Sequence, residues 1–206
     1  MLTVPRLKGI TAILSENRTL ANVLECAAKT LPPQPWYLIG GSLYQTVWNV
    51  KHGKQPERHI DDYDIAYFDP HTRKRQEAKY QRQISEWVPG VKVQVKNQAL
   101  ITPAWFKRHF GCKKDTPRYL SLEDAIGKAY VSSPVLGVSW RDGELQVLDL
   151  ADSDRLLDQQ VFPNNKFRGR KILPFYRKKY AKWHALWPKV RFYNWDGQLV
   201  KREEDI

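Results

Sequence analysis

The stretch Trp36–Asp69, WYLIGGSLYQTVWNVKHGKQPERHIDDYDIAYFD, decides the fold of this chain. It opens with the apolar run Trp36–Ile39, which is typical of a buried strand and is stopped by Gly40-Gly41. Ser42, a good helix N-cap, then opens a helical pattern. A strand that enters a helix through two glycines predicts a phosphate-binding turn, because backbone N–H groups can approach an anion there and the helix N-terminus adds partial positive charge.

Two carboxylates follow in the same stretch. Asp62 and Asp64 are two residues apart in a strand-like run, so both side chains are expected on one face of the strand. Asp61 is expected on the opposite face, with a structural role or as a cap at the end of the loop. Two carboxylates that project together repel each other unless a cation lies between them, and oxygen ligands suit Mg²⁺ bound together with substrate phosphates. The pair therefore predicts a magnesium site near the phosphate-binding turn.

The flanking segments supply helices and strands to this unit. Residues 5–31 have apolar side chains at helical spacing, with Ser15–Asn17 as a point where the helix can divide in two. Residues 71–88 are predicted to form a charged surface helix, and residues 91–101 a half-buried strand with alternating apolar side chains. We expect an α+β fold, with a small mixed β-sheet and helices packed on it.

The second half of the chain is predicted to contain one hairpin and four helices. Asp142-Gly143 between two apolar runs is a strong signal for a hairpin turn. Ser121 is a good N-cap, and the two acids close behind it favour the start of a helix. The predicted strands are Leu136–Trp140 and Leu145–Leu150, and the predicted helices are Thr102–Phe110, 121–131, Ala151–Gln160 and Pro174–Trp187.

The length of 206 residues suits one domain with a small appendage. We expect a main domain over residues 1–163 and a basic, aromatic-rich helical extension over residues 164–206 that packs on it. The sequence has neither an apolar run of membrane-spanning length nor the pattern of a signal peptide, so a cytoplasmic location with no membrane partner is expected. Cys26 and Cys112 have no paired spacing and are predicted to be free thiols rather than zinc ligands.

The net charge of +12 is the strongest signal in the composition. It favours a polyanionic partner, whether nucleic acid, nucleotide or an acidic surface. The chain also has eight Trp, ten Tyr and seven Phe, which are compatible with base stacking but more often belong to a core. The C-terminal helix is expected to dock by its aromatic side and to leave its basic face free for phosphates. Candidate contacts to nucleic acid are Arg168, Arg170, Lys171, Arg177, Lys178 and Lys182.

The glycine turn and the acids together resemble the core of the DNA polymerase β-like nucleotidyltransferase superfamily, in which an hG[GS] turn is followed by an hDhDh strand. Within that superfamily, the chain is similar to a family of small bacterial nucleotidyltransferase-like proteins. The resemblance covers about residues 36–190 and rests on Trp36–Gly41, Asp62–Asp64, Asp69-Pro70, Val95–Ala99, Leu122–Ile126, Leu136–Val138 and Trp187-Pro188.

This resemblance implies an activity and a set of site residues. Members of the superfamily transfer a nucleoside monophosphate from an NTP to an acceptor and release pyrophosphate. By position, Gly40, Gly41 and Ser42 would hold the triphosphate, and Asp62 and Asp64 would bind Mg²⁺. The expected acceptor is an RNA, in particular a tRNA-like one, or a protein side chain. In a two-metal site, one ion would clamp the triphosphate and the other would activate the acceptor hydroxyl.

The chain departs from the superfamily pattern at the third carboxylate. That acid is expected on the strand after the second helix. In this chain Gln94 occupies the corresponding position. Three explanations are open: the strand register differs, Asp149 or Glu144 on the later hairpin substitutes, or the protein binds nucleotide or RNA without catalysis. Lys96 is expected on the same strand face as Gln94, where it would reach a phosphate or occupy the space of the missing acid.

Overall fold

A computed structural model describes residues 4–102, 104, 118–128, 135–151, 154–164 and 173–206. Some of the expectations from sequence concern other residues. The predicted helix Thr102–Phe110 lies almost wholly outside the described residues, as do Cys112, Arg168, Arg170 and Lys171.

Helices and strands alternate through most of the described residues. None of the described helices is long and apolar enough to cross a membrane. The helices are α1 (Val4–Ser15), α2 (Arg18–Thr30), α3 (Gly41–Lys51), α4 (Lys74–Trp87), α5 (Leu122–Gly127), α6 (Asp154–Leu157) and α7 (Leu173–Leu186), with 3₁₀ turns at Gln98–Leu100 and Glu203–Asp205. The strands are β1 (Trp36–Ile39), β2 (Tyr63–Tyr67), β3 (Val93–Asn97), β4 (Val135–Arg141), β5 (Glu144–Ala151), β6 (Gln160–Val161) and β7 (Arg191–Phe192).

The main sheet has five strands in the order β3-β2-β1-β4-β5. Strand β1 is antiparallel to β2 and to β4, the pair β2–β3 is parallel, and β4–β5 is an antiparallel hairpin. The short strands β6 and β7 form a separate parallel pair. A mixed sheet with helices packed on it confirms the predicted α+β fold.

Most of the predicted elements are present, and their ends follow local chemistry. The N-terminal helical region divides at Asn17, whose side chain caps α2 by accepting from the Leu20 N–H at 2.8 Å. The hairpin turns through Asp142 and Gly143, both at positive φ, as a two-residue Asp-Gly loop requires.

The predicted helix Ala151–Gln160 is wrong over most of its length. Ala151 is the last residue of β5, where it pairs with Val135. Gln160 begins β6 and pairs with Arg191. Of the described residues in this range, only Asp154–Leu157 are helical, because strand pairing holds the backbone at Ala151 and at Gln160.

Helix α3 is the central element of the core. Every residue from Ser42 to Asn49 is buried, which is the pattern of a helix packed on all sides. The outer side of α3 meets α7, where the ring centroids of Trp48 and Trp183 are 5.1 Å apart. The aromatic side of the C-terminal helix is therefore docked in the core through Tyr176, Tyr180 and Trp183, which are not free to stack on bases, whereas Phe175 is 37% exposed.

Three polar contacts fix the end of α7 against the region after α3. Trp187 donates through Nε1 to Asn49 Oδ1 at 2.8 Å. The Lys54 ammonium donates to the Leu186 carbonyl in the last turn of α7, where a cation is favoured. His52 Nε2 accepts from the Lys189 N–H at 3.2 Å. These contacts belong to the same core as the sheet, and the division of the chain at residue 163 stays a prediction.

Candidate active site

The glycine turn lies directly against one of the predicted acids. Gly40 has φ 82° and ψ −144°, a conformation that is essentially restricted to glycine. A Cβ added at Gly40 would lie 3.6 Å from Asp64 Oδ2. The N-cap of α3 is Gly40 itself, so the expectation that Ser42 caps the helix is wrong: the glycine turn starts the helix two residues earlier, and Ser42 is a buried residue of its first turn.

Two polar atoms in the first turns of α3 are buried without a partner. Ser42 Oγ and Gln45 Oε1 have no hydrogen-bond partner among the described residues. Gln45 also approaches the turn, since a Cβ on Gly41 would lie 3.2 Å from its Nε2. Buried polar atoms normally find a partner, and the first N–H groups of a helix are open donors. The open N–H groups and the Ser42 hydroxyl can donate to an anionic group such as a phosphate, whereas Gln45 Oε1 can only accept a hydrogen bond.

The acids lie at the start of β2, on the sheet face opposite the main core. Asp64 is in the strand, next to Ile39 of β1, while Asp62 precedes the first strand residue by one position. Burial raises the pKa of Asp64 to about 6, and repulsion from Asp62 adds to this rise. The structure thus brings the two carboxylates together, and the ionised pair favours a cation beside it.

A lysine from the C-terminal helix faces this pair of acids. Burial lowers the pKa of Lys179 to about 8, and the negative charges of Asp64 and Asp62 oppose that change. Among the cations that act on Asp64, Lys179 lowers its pKa most. The Lys179 ammonium also lies 4.4 Å from the centroid of the Trp183 ring. The site is therefore built from β2, the start of α3 and one face of α7.

The position of Gln94 in the sheet agrees with the register predicted from sequence. Gln94 pairs with Asp64 in the β2–β3 ladder. Its Nε2 donates to Asp62 Oδ2 at 2.7 Å, and Lys92 Nζ lies 3.3 Å from the same oxygen. A neutral amide donor thus stands beside the two acids where a third carboxylate was expected.

The later hairpin does not supply that third carboxylate. One row of paired residues runs across the sheet from Asp64 of β2. It passes through Ile39 of β1 and Gly137 of β4 and ends at Leu148 of β5. Three strand spacings of about 4.8 Å place Leu148 about 14 Å from Asp64. Asp149 is next to Leu148, and Glu144 is farther away, at the hairpin turn. Neither side chain can share a metal ion with Asp64.

Three of the other cations predicted to contact nucleotide or nucleic acid have partners elsewhere in the protein. Lys96 Nζ is 3.0 Å from Glu77 Oε1 of α4 and is not hydrogen-bonded to the acids. Lys182 forms an ion pair with Asp61, and both side chains are exposed to solvent, so the structural role expected for Asp61 stays a prediction. Arg177 Nη2 donates to the carbonyl of Ile206 at 3.2 Å. Lys178 lies exposed on α7. As contacts to nucleotide or nucleic acid, these residues stay predictions.

Sequence reasoning missed Lys179, Lys92 and Gln45. Lys92 could have been found, because alternation along β3 and a parallel partner place it next to Asp62. Gln45 is one turn after the glycines and lies on the same helix face as Ser42. Lys179 has no local signal, since it is one cation in a basic helix and reaches the acids only through the packing of α7 on α3.

The residues at this site fit one divalent metal ion bound together with a nucleotide. Within the described ranges, no three or more His, Cys, Asp and Glu side chains form a group that could hold a metal alone. Mg²⁺ typically takes one or two carboxylates and completes its shell with water and substrate phosphates. Asp62 and Asp64 can supply that share, because Oδ2 of Asp62 uses only part of the acceptor capacity of its carboxylate.

Comparison with known proteins agrees with this geometry. No curated protein sequence matches the chain. A solved structure described as an NMR structure that "reveals a CCA-adding enzyme head domain" has the same fold, with a TM-score of 0.72 and 22% identity over 91% of this chain and 95% of the other. The nucleotidyltransferase family matches residues 27–192, which include the glycine turn, both acids and α7. The chain belongs to the nucleotidyltransferase family.

Proposed function

We propose that this protein transfers a nucleoside monophosphate from an NTP to an acceptor, with Mg²⁺ as the metal. The observation that carries this proposal is the contact between the glycine turn and the acid pair, with a Gly40 Cβ position only 3.6 Å from Asp64 Oδ2. A triphosphate bound at the start of α3 would therefore lie next to the carboxylates that hold its metal ion. Such transfer depends mainly on positioning and on neutralising charge at the phosphates.

The proposed reaction forms one bond and breaks one. The acceptor hydroxyl oxygen bonds to the α-phosphorus, the bond from that phosphorus to the bridging oxygen of the β-phosphate breaks, and pyrophosphate leaves. The hydroxyl proton passes to solvent. The N–H groups after Gly40, with Ser42, would hold the triphosphate, and Asp62 and Asp64 would hold the Mg²⁺ ion. That ion supplies neutralising charge at the phosphates.

The proposed acceptor is an RNA, in particular a tRNA-like one. The net charge of +12 favours a polyanionic partner, and the structural neighbour is described as the head domain of a CCA-adding enzyme. Lys96 is proposed to contact nucleotide, and the proposed contacts to RNA are Arg168, Arg170, Lys171, Arg177, Lys178 and Lys182. A protein side chain is the other proposed acceptor, and both would be met in the cytoplasm.

An assay with labelled nucleotides tests the proposal. The protein is incubated with Mg²⁺, each of the four NTPs labelled at the α-phosphate, and either total RNA or total protein as acceptor. We expect label on one acceptor pool with the wild type and none with the double variant Asp62→Asn, Asp64→Asn. Equal labelling by the wild type and the double variant, or no labelling with any NTP, would contradict the proposal.

A second candidate function is binding of RNA without catalysis. Gln94 favours it, because the amide beside Asp62 cannot act as the third acid of an active site. In that case RNA binding weakens steeply with salt as cations compete for the phosphates, while no label is transferred. Salt-independent or undetectable RNA binding would remove this candidate.

A further inference from the structure

Groups of the protein approach the acid pair from two directions. From β3, Gln94 and Lys92 donate to the same oxygen of Asp62, at 2.7 and 3.3 Å. From α7, Lys182 forms an ion pair with Asp61, the neighbour of Asp62, and the positive charge of Lys179 on the same helix acts on both Asp62 and Asp64. The acids thus meet donors and positive charge on the sheet side and on the C-terminal side.

Packing on both sides of Lys179 holds it in this position. One turn along the same helix, Lys182 forms an ion pair with Asp61, the residue that precedes Asp62. Trp183 lies under the Lys179 ammonium and packs edge-on against Trp48 of the central helix α3. The helix cannot turn away from the acids without breaking the ion pair and moving a ring that is buried in the core.

Such a site does not suit two adjacent divalent ions. A two-metal centre holds its ions about 3.5–4 Å apart and needs negative ligands on both. Gln94, which stands next to Asp64 in the sheet, offers an amide in place of a carboxylate. Asp149 and Glu144 lie three strands away. A second divalent ion would also be repelled by the nearby ammonium of Lys179.

We propose that the site binds one divalent ion and that Lys179 supplies the positive charge which a second ion would otherwise bring to the nucleotide. This inference rests on the proposed function for the identity of the ligand. The role proposed for Lys179 is that of a positive charge and not that of a base. In this role it is a positioning residue contributed by the C-terminal helix.

Manganese provides a direct count of the ions. The wild-type protein is saturated with Mn²⁺ and a non-hydrolysable α,β-methylene NTP, and the bound ions are counted and examined by electron paramagnetic resonance. We expect one Mn²⁺ per chain and the spectrum of an isolated ion. Two ions per chain with a spin-coupled spectrum would overturn the inference.

Variants at two positions separate the effect of the missing third carboxylate from the effect of the Lys179 charge. Gln94→Glu replaces the amide by a carboxylate of the same shape and is expected to raise the count to two. Lys179→Met is expected to weaken binding of the analogue about tenfold or more while the count stays at one, and Lys179→Arg is expected to restore binding. Lys29→Met, which removes an exposed charge on α2, is the control and leaves binding unchanged.

The outcomes also separate this inference from the proposed function. A wild-type protein that binds one Mn²⁺ with the analogue but labels no acceptor contradicts the proposed transfer and supports the single-ion site. If Lys179→Met binds the analogue as tightly as the wild type, the role of Lys179 is overturned even when transfer is observed. A wild-type protein that binds no analogue at all overturns both.

Discussion

At the scale of single residues, the backbone conformation of Gly40 lets α3 begin next to Asp64. This conformation, φ 82° and ψ −144°, is one that an L side chain adopts only under strain. The Gly40→Ala variant is therefore expected to lose about 1–3 kcal/mol of unfolding free energy in urea titrations. Gly9→Ala is the matched control: this glycine is in the interior of α1, and its added methyl would make an ordinary 3.6 Å contact with Leu157. A control that loses as much as Gly40→Ala would contradict the strain argument.

Asp64 is the residue where stability and function oppose each other. Its carboxylate is half-buried and repelled by Asp62, so it costs folding free energy when no cation is bound. Asp64→Asn is expected to be more stable than the wild type at pH 7 without metal, by on the order of 1 kcal/mol.

Added ligand is expected to stabilise the wild type more than the Asp64→Asn variant. Mg²⁺ with an α,β-methylene NTP raises the melting temperature of the wild type, since a ligand that binds only the folded state stabilises it. The same addition is expected to leave the melting temperature of Asp64→Asn almost unchanged. Equal shifts for both proteins would show that the nucleotide and its metal bind elsewhere.

At the scale of elements, the contact between α3 and α7 carries both stability and the site. Trp187 is fully buried, packs on Trp48 and donates to Asn49. Trp187→Ala is expected to cost about 3–5 kcal/mol of unfolding free energy, because it leaves a large cavity and an unpaired amide oxygen. Trp87→Ala, at a side chain that is 66% exposed, is expected to change it by less than about 0.5 kcal/mol. Similar losses in both variants would refute the proposed packing.

His52 makes the contact between α3 and α7 dependent on pH. The His52 Nε2 accepts from the Lys189 N–H, so Nδ1 carries the ring proton. Nδ1 therefore donates to the Trp48 carbonyl at 2.7 Å. Burial lowers the pKa of His52 below its ordinary 6.5, and nearby Lys54 and Lys189 lower it further. The unfolded chain then binds the proton first, so the stabilisation is complete above pH 6.5 and is lost as the pH falls through the folded pKa.

A comparison with His52→Gln isolates this effect. The wild type is expected to be more stable than the variant by about 1 kcal/mol at pH 7.5, from the hydrogen bonds at Nε2 and Nδ1. This difference should shrink as the pH falls below 6.5. Urea unfolding at several pH values measures it, and a difference that grows on acidification would show that the ring is not held neutral in the folded protein.

Local sequence signals account for the elements but not for their assembly. The Gly40-Gly41 turn, the acid pair and the Asp142-Gly143 hairpin could be predicted, because each depends on the conformational preferences of a few adjacent residues. The helix predicted for Ala151–Gln160 was wrong, since strand pairing with distant segments overrides the local pattern there.

At the scale of the whole molecule, the candidate site joins segments that are far apart in the chain. Strand alternation was enough to place Gln94 beside Asp64, because β3 follows β2 closely and is parallel to it. Lys179 is 115 positions after Asp64 and reaches it only because the aromatic side of α7 docks on α3. Long-range packing of this kind leaves no signature at any single position.

The net charge of the chain and the charge of the site are opposite in sign. A net charge of +12 draws polyanions to the protein, while the acids at the start of β2 need a cation to accept a triphosphate. We propose that a metal ion and Lys179 together neutralise this local negative charge, which the overall positive charge does not do. We propose that this arrangement transfers the α-phosphate of an NTP together with its nucleoside.

Labelling at two positions of the same nucleotide tests that claim most directly. The protein is incubated with Mg²⁺, acceptor RNA and the preferred NTP labelled either at the α-phosphate or at the γ-phosphate. We expect label on the acceptor only from the α-position and the γ-label in released pyrophosphate. Both signals are expected to be absent in the Asp62→Asn, Asp64→Asn double variant. Label transferred from the γ-position, or α-label transferred equally by the double variant, would contradict it.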